Sequence, residues 1–164
     1  QGKGFIVVRF GNVLGSRGSV IPIWQKQIDE KRKITITDPR MERYFMSTAD
    51  AVNLVFMAAT VMLGNEIFVL KMSKYNIYTL AQEVIKRHGN GKNKHTIIGI
   101  REREKIDEKL FTDQEKEYML DIGPFNIIEP NEEFYLRRKS NYNEVKDFKP
   151  IEVTDILSCI PKKN

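Results

Sequence analysis

The chain has 164 residues, 41% of them hydrophobic and 30% charged, with 10 Gly and 6 Pro. That balance belongs to a globular domain and excludes a disordered or fibrous chain. A net charge of +5 favours anionic partners such as phosphorylated metabolites, nucleic acid or a membrane surface. No RRM, KH, zinc-finger or helix-turn-helix signature accompanies it, so nucleic acid is not expected as a partner.

The longest apolar run, Ala49 to Leu63, carries Asp50 and Asn53 and is too short for a membrane span, so no membrane partner is expected. Cys159 is the only cysteine, which excludes an internal disulfide and points to a reducing cytoplasm. His88 and His95 are the only histidines and show no metal-ligand spacing, so no metal is expected. No nucleophile elbow of the GxSxG kind surrounds any serine or the cysteine. The opening Gln1-Gly2-Lys3-Gly4 has neither an initiator Met nor a secretory pattern, as expected of a chain cut from a longer one.

Along the chain, Phe5 to Phe10 reads as a short buried strand ending at the turn pair Gly11-Asn12. After the loop GNVLGSRGS, Val20 to Ile28 is apolar at helical spacing, with Ser19 as N-cap and Pro22 tolerated in the first turn. Lys33 to Thr37 alternates like a strand and stops at Asp38-Pro39. Asp38-Pro39-Arg40-Met41-Glu42-Arg43 reads as a surface turn with charge pairs. Ser47-Thr48 caps a helix over Ala49 to Leu63, whose Val52, Val55, Phe56, Ala59 and Met62 form one apolar stripe.

Gly64-Asn65 ends that helix, and Glu66 to Leu70 reads as a strand. Thr79 opens a helix over Leu80 to Lys86, closed by Gly89-Asn90-Gly91. Thr96 to Ile100 is a strand, followed by the highly charged Arg101 to Lys109. From Asp113 the pattern weakens into a tail with extended runs at Tyr118 to Ile122 and Phe125 to Ile128. The terminal Pro161-Lys162-Lys163-Asn164 reads as a solvated basic end. With no internal repeat, the alternation of strands and helices predicts one α/β unit.

Four segments then matter together: VVRFGNVLGSRGSVIPIWQKQI, ITITDPRMERYFMSTADAVNLVFMA, GNEIFVLKMSKYNIYTLAQEV and IIGIREREKIDEKL. In this order, over about Phe5 to Leu110, they resemble the family of UDP-N-acetylglucosamine 4,6-dehydratases and CapD-like polysaccharide biosynthesis proteins. The resemblance implies the C-terminal, substrate-binding lobe of an extended short-chain dehydrogenase fold, without its N-terminal cofactor half. Residues 1–112 would form the nucleotide-sugar lobe and 113–164 a C-terminal extension, within one partial domain. The weaker tail is similar to that of short members that invert C5 of the sugar.

The implied reaction oxidises C4 of a UDP-N-acetylhexosamine, eliminates water across C5 and C6, and returns the hydride to C6, with NAD or NADP holding it in between. The family's nucleotide fingerprint, acidic catalytic residues and YxxxK motif are all expected upstream of Phe5. Hence no catalytic residue and no bound cofactor are expected in this chain alone, which would need a missing Rossmann half as partner, in a homo-oligomer. Gly11, Gly15 and Gly18 do not make a GxGxxG fingerprint. Two other functions stay open, a UDP-sugar 4-epimerase of the same superfamily and a non-catalytic UDP-sugar-binding module.

Position by position, the resemblance implies that Asn12 bonds the phosphates and that Val20, Ile21, Pro22, Ile23 and Trp24 cradle the nucleotide. It also implies that Thr37 meets the uridine, while Arg101 and Glu104 meet the diphosphate and ribose. Arg17 and Arg43 are further phosphate candidates. Each has a plain alternative: a turn residue for Asn12, a buried helix start for Val20 to Trp24, a solvated charge for Arg17, Arg101 and Glu104. The family usually reads R-P-G-E where this chain has Arg101-Glu102-Arg103-Glu104, which bears on the loop because Pro fixes φ and Gly permits positive φ.

Overall fold

The computed structural model describes residues 4–89, 93–142 and 160. Cys159 and Pro161-Lys162-Lys163-Asn164, like Asn90 and Gly91, lie outside them. The chain divides into two compact units whose segments alternate along the sequence. The sheet unit comprises residues 4–10, Thr48–Lys71 and 109–142; the cavity unit comprises Gly11–Ser47, Met72–Glu108 and Ile160.

In the sheet unit, β1 (Val7–Arg9) pairs in parallel with β5 (Ile67–Leu70), as expected of a strand and its return after a helical crossover. β5 then pairs antiparallel with β9 (Phe125–Ile128), and β9 with β8 (Met119–Ile122). Met119–Ile122 and Phe125–Ile128 match the two extended runs expected in the tail. They face one another in register from Ile122–Phe125 outward, so Gly123 and Pro124 form the whole turn. Gly123 has φ +60°, the positive first position of a type II′ hairpin, which a side chain would strain. Residues on both sides of position 112 therefore build one sheet.

Helix α2 (Thr48–Val61) covers β1 and β5, but with a different face from the expected one. Ala51, Leu54, Met57 and Ala58 are buried, whereas Val52, Val55 and Phe56 are exposed, Phe56 by 68%. The helix is apolar nearly all round, so two stripes compete at helical spacing, and periodicity cannot choose between them. The tail also holds a helix that its weak pattern hid, α4 (Glu132–Arg138), begun by Asn131, whose side chain accepts from Phe134 N–H at 3.1 Å.

The cavity unit has two small sheets and two helices. β2 (Asn12–Val13) lies parallel to β4 (Glu42–Met46), which pairs antiparallel with β6 (Lys74–Asn76). β3 (Ile34–Ile36) lies parallel to β7 (His95–Ile97). The segment read as a surface turn thus contains a strand: only Asp38-Pro39-Arg40 turns, and Arg43, Phe45 and Met46 are buried. The third helix of the chain, α3 (Ile77–His88), begins earlier than Thr79, because Asn76 caps it by accepting Thr79 N–H at 3.0 Å.

α1 (Val20–Asp29) matches its expected span and packs against α3. Ile21, Trp24 and Ile28 from α1 meet Ile34 and Ile36 from β3 and Leu80, Val84 and Ile85 from α3 in one core. No helix among the described residues is long and apolar enough to cross a membrane.

Candidate functional site

A cavity of about 270 Å³ opens in the cavity unit beside the start of α1. Its floor is apolar: Ile21, Trp24, Ile36, Met41 and Phe45 are all nearly inaccessible to solvent. Its rim is polar, formed by Asn12, Ser19, Thr37, Arg101 and Glu104. The fold brings Val20 and Ile23 to the same lining. Pro22, in the first turn of α1, and Arg17, exposed in the preceding loop, are not part of it.

The rim follows from local structure. Asn12 sits on β2 and donates from Nδ2 to Tyr44 O at 3.0 Å, which holds its amide beside β4. The loop to α1 turns through Gly15 and Gly18, with φ +71° and +78°, a conformation that favours glycine. Ser19 then occupies the N-cap position but makes no capping hydrogen bond. Its Oγ is buried without a hydrogen-bond partner among the described residues. Buried hydroxyls are normally satisfied, so Ser19 leaves a donor and acceptor available at the cavity wall. The first N–H groups of α1 have no intrahelical acceptor either, and the helix dipole makes this end attractive to an anion.

Opposite polar needs are met by β3 and the loop after it. Thr37 Oγ1 lies 3.4 Å from Met41 Sδ, a weak acceptor that a ligand carbonyl would readily replace. Asp38 stabilises the following turn: its carboxylate accepts from Arg40 N at 2.8 Å, Nε at 3.0 Å and Nη2 at 2.7 Å. Those bonds from Arg40 hold the Asp38 carboxyl down at about 2.

Arg43 lines the cavity, yet its guanidinium is committed to the protein. Nη1 donates to Glu42 O and Ile106 O, each at 2.8 Å, Nη2 to Lys105 O at 2.5 Å, and Nε faces Glu108 at 3.5 Å. Its role is to tie residues 105–108 to β4. The phosphate contact considered for Arg43 would require breaking bonds already made.

Arg101 differs. Its guanidinium has no hydrogen-bond or ion-pair partner among the described residues, and it stands at the rim. Glu104 Oε2 accepts the Arg101 N–H at 3.1 Å, and Glu104 N–H donates to Arg101 O at 3.1 Å. This closes a four-residue turn with φ +65° at its third residue, Arg103. Such a type II turn suits Pro-Gly at its centre. Here Glu102 and Arg103 occupy those central positions, with Arg103, a non-glycine residue, in the left-handed region.

The sequence reading missed Val13, Leu14, Gly18 and Ser19 as lining residues, and also Thr35, Ile36, Met41, Phe45, Ile77 and Ile98. A period-two pattern in Arg43, Phe45 and their neighbours was available as a sign of β4. The others depend on tertiary placement. No group of three or more metal-ligating side chains occurs among the described residues.

The cavity thus combines an apolar floor with hydroxyl, amide, carboxylate and guanidinium groups on its rim, beside a helix start, on an α/β lobe. The fold is mixed α/β of the extended short-chain dehydrogenase type: the X-ray structure of Pen from Bacillus thuringiensis superposes with a TM-score of 0.74 at 38% identity over 77% of this chain and 40% of that one. The family described as polysaccharide biosynthesis protein matches residues 1–130, and the chain belongs to it. It is 45% identical over 114 residues to the capsular polysaccharide biosynthesis protein CapD of Staphylococcus aureus, covering 68% of this chain and 19% of CapD. It is 40% identical over 124 residues to a UDP-glucose 4-epimerase of Rickettsia bellii, covering 76% of this chain and 36% of that protein. The chain thus spans well under half the length of these relatives.

Proposed function

We propose that this chain is the nucleotide-sugar-binding part of a UDP-N-acetylhexosamine 4,6-dehydratase, C5-inverting, that serves surface polysaccharide or glycan synthesis in the cytoplasm. The observation that carries the reading is the unpartnered guanidinium of Arg101 beside Glu104, on the rim of an apolar cavity that also receives the start of α1. A diphosphate calls for N–H donors and a guanidinium fork, a ribose for a carboxylate acceptor, and a uracil for an apolar wall with hydrogen-bonding groups at its edge. Each has a matching group here: α1, Ser19 and Arg101 for phosphate, Glu104 for ribose, and Thr37 with the Trp24 and Ile36 surfaces for the base.

NAD(P) would supply the hydride chemistry in the whole protein. The residues described here do not fit it: Gly11 precedes the two-residue strand β2, and Gly15 and Gly18 lie in the loop from β2 into α1, which is not a GxGxxG turn. No step is therefore assigned through that cofactor. What these side chains do is bind and orient the UDP moiety, which aims the hexose at chemistry performed elsewhere.

A titration of the chain with UDP, UMP and uridine by calorimetry tests the binding claim. UDP should bind and uridine should lose most of the affinity; equal weak heats for all three would reject an aimed diphosphate site. The epimerase reading has its own support in the UDP-glucose 4-epimerase relative at 40% identity. Mass spectrometry on the whole protein separates the two, because a dehydratase yields a product lighter by one water and an epimerase an isomer of equal mass.

A further inference from the structure

The sheet unit holds its own cluster of buried titratable groups. Glu66, just before β5, is fully buried, Glu129, just after β9, is 2% exposed, and Tyr142 is 1% exposed. The Tyr142 hydroxyl oxygen lies 3.0 Å from Glu66 Oε1 and 3.1 Å from Glu129 Oε1. A phenol has a single proton to donate. Directed at one carboxyl, it presents only lone pairs to the other, and that second contact is attractive only if the second carboxyl brings a proton of its own. Two ionised carboxylates would set oxygen against oxygen in a site from which water is excluded.

The surroundings decide which carboxyl holds that proton. Glu66 accepts the backbone N–H of Leu63 and, through both oxygens at 2.9 and 2.7 Å, that of Gly64. Arg138 Nη1 stands 3.5 Å from it. Bonds of this kind stabilise a carboxylate. Glu129 has Tyr142 and Arg138 Nη1, at 3.4 Å, as its side-chain partners among the described residues. Burial pushes its carboxyl above the usual glutamate value, an effect that Tyr142 and Arg138 only partly offset.

We propose that Glu129 is a neutral carboxylic acid at neutral pH, donating to Tyr142, which donates to ionised Glu66, with Arg138 as the balancing cation. The cluster then carries one negative and one positive charge, and every short contact has a proton in it. It also works as a latch. Arg138 Nη1 donates to Gly64 O at 2.7 Å, which ties α4 to the segment before β5, and the two contacts of the Tyr142 hydroxyl tie residue 142 to the same place. Tyr142 stays a phenol, since burial and the Glu66 carboxylate push its ionisation far above the ordinary value. The charged groups facing Glu129 are Glu66 from just before β5 and Arg138 from α4, and Glu115 and Glu117 of a short 3₁₀ turn, Glu115–Tyr118, line a surface hollow with it.

The sign of the pH effect follows. A carboxyl whose folded value lies above its unfolded value of about 4.3 adds stability at low pH and loses it as pH rises through the folded value. The test measures melting temperature from mildly acidic to mildly alkaline pH for the chain, for Glu129→Gln and for Glu66→Gln. Infrared spectra of the chain at neutral pH are added. The chain should melt several degrees lower at the alkaline end. Glu129→Gln, whose amide donates to Tyr142 at every pH, should stay level, and Glu66→Gln should melt lower than the parent throughout. A carboxylic-acid C=O band should be present in the chain and missing from Glu129→Gln. A parallel alkaline decline in Glu129→Gln, abolition of the decline by Glu66→Gln instead, or no acid band at neutral pH overturns the assignment. Should Glu129→Gln fail to fold, the band in the parent chain decides alone.

Discussion

Gln27 and Thr35 are joined twice: Gln27 Oε1 accepts the Thr35 N–H at 3.0 Å, and Gln27 Nε2 donates to Thr35 Oγ1 at 3.0 Å. Trp24 Nε1 adds a third bond from α1, to Thr35 O at 2.7 Å. Successive side chains of a strand alternate, so Thr35 and Thr37 share a face, and both line the cavity. Clamping Thr35 therefore sets the position of Thr37. Gln27→Met keeps the length of the side chain and removes both amide bonds, leaving a buried N–H without an acceptor at a cost of about 1–3 kcal/mol. Chemical denaturation should show that loss, and UDP affinity should fall while the helix content stays unchanged. Unaltered stability would mean that the clamp is incidental.

Arg101 separates an aimed phosphate ligand from a diffuse basic surface. Arg101→Ala should cost about ten- to a hundredfold in UDP affinity, the value of one charge-assisted bond of roughly 1.5–3 kcal/mol. Arg101→Lys should also weaken binding, since a point charge does not reproduce a bidentate fork. Arg103→Ala and Lys109→Ala should change affinity little, and less at high salt. Calorimetry at two salt concentrations checks this. Equal losses at all three positions, vanishing at high salt, would remove Arg101 from the site.

The turn that carries Arg101 and Glu104 stores backbone strain at Arg103, at φ +65°. A left-handed non-glycine residue costs about 1–2 kcal/mol, and glycine returns part of that as unfolded-state entropy. Arg103→Gly should thus raise stability by about 0.5–1 kcal/mol with little change in UDP affinity. Arg103→Pro, which forces φ to about −65°, should break the turn and lower both. Urea unfolding and UDP titration of the two variants provide the check.

Arg9 and Glu115 give an acid-side dependence in the sheet unit. Arg9 Nη1 and Nη2 grip the Glu115 carboxylate at 3.0 and 2.8 Å, and Nη1 also donates to Leu110 O at 2.7 Å. The Arg9 bond is the main cause that pulls Glu115 from 4.5 to about 2. A depressed folded value means stability that is full above the unfolded value and lost as pH falls through the folded one. Melting should therefore weaken between about pH 4.5 and about pH 2, and Glu115→Gln should flatten that part of the profile while lowering stability at neutral pH. The partly exposed pair makes the effect salt-sensitive. A profile unchanged by Glu115→Gln would assign the acid transition to other carboxylates.

Much of this protein was legible before any coordinates. The spans of α1, β3, β5, β8 and β9 follow from period and turn chemistry acting within a few residues, as do the turns at Asp38-Pro39 and Gly64-Asn65. Part of the cavity lining was legible too: Asn12, Val20, Ile21, Ile23, Trp24, Thr37, Arg101 and Glu104 were named through the resemblance that four short segments carry, although no local rule joins position 12 to position 104. Tertiary structure alone decided the rest. It chose the Ala51-Leu54-Ala58 face of α2 over the equally apolar Val52-Val55-Phe56 face, because burial depends on which side meets the sheet. It turned Arg43 inward onto the carbonyls of 105 and 106 and left the Arg101 guanidinium without a partner among the described residues, although both are arginines in charged segments. It also brought Glu66, Glu129 and Tyr142, scattered over 76 positions, around a single phenol oxygen. Hydrogen-bond partners and solvent exclusion are properties of position in space, and the chemical state of a side chain follows them rather than its place in the chain.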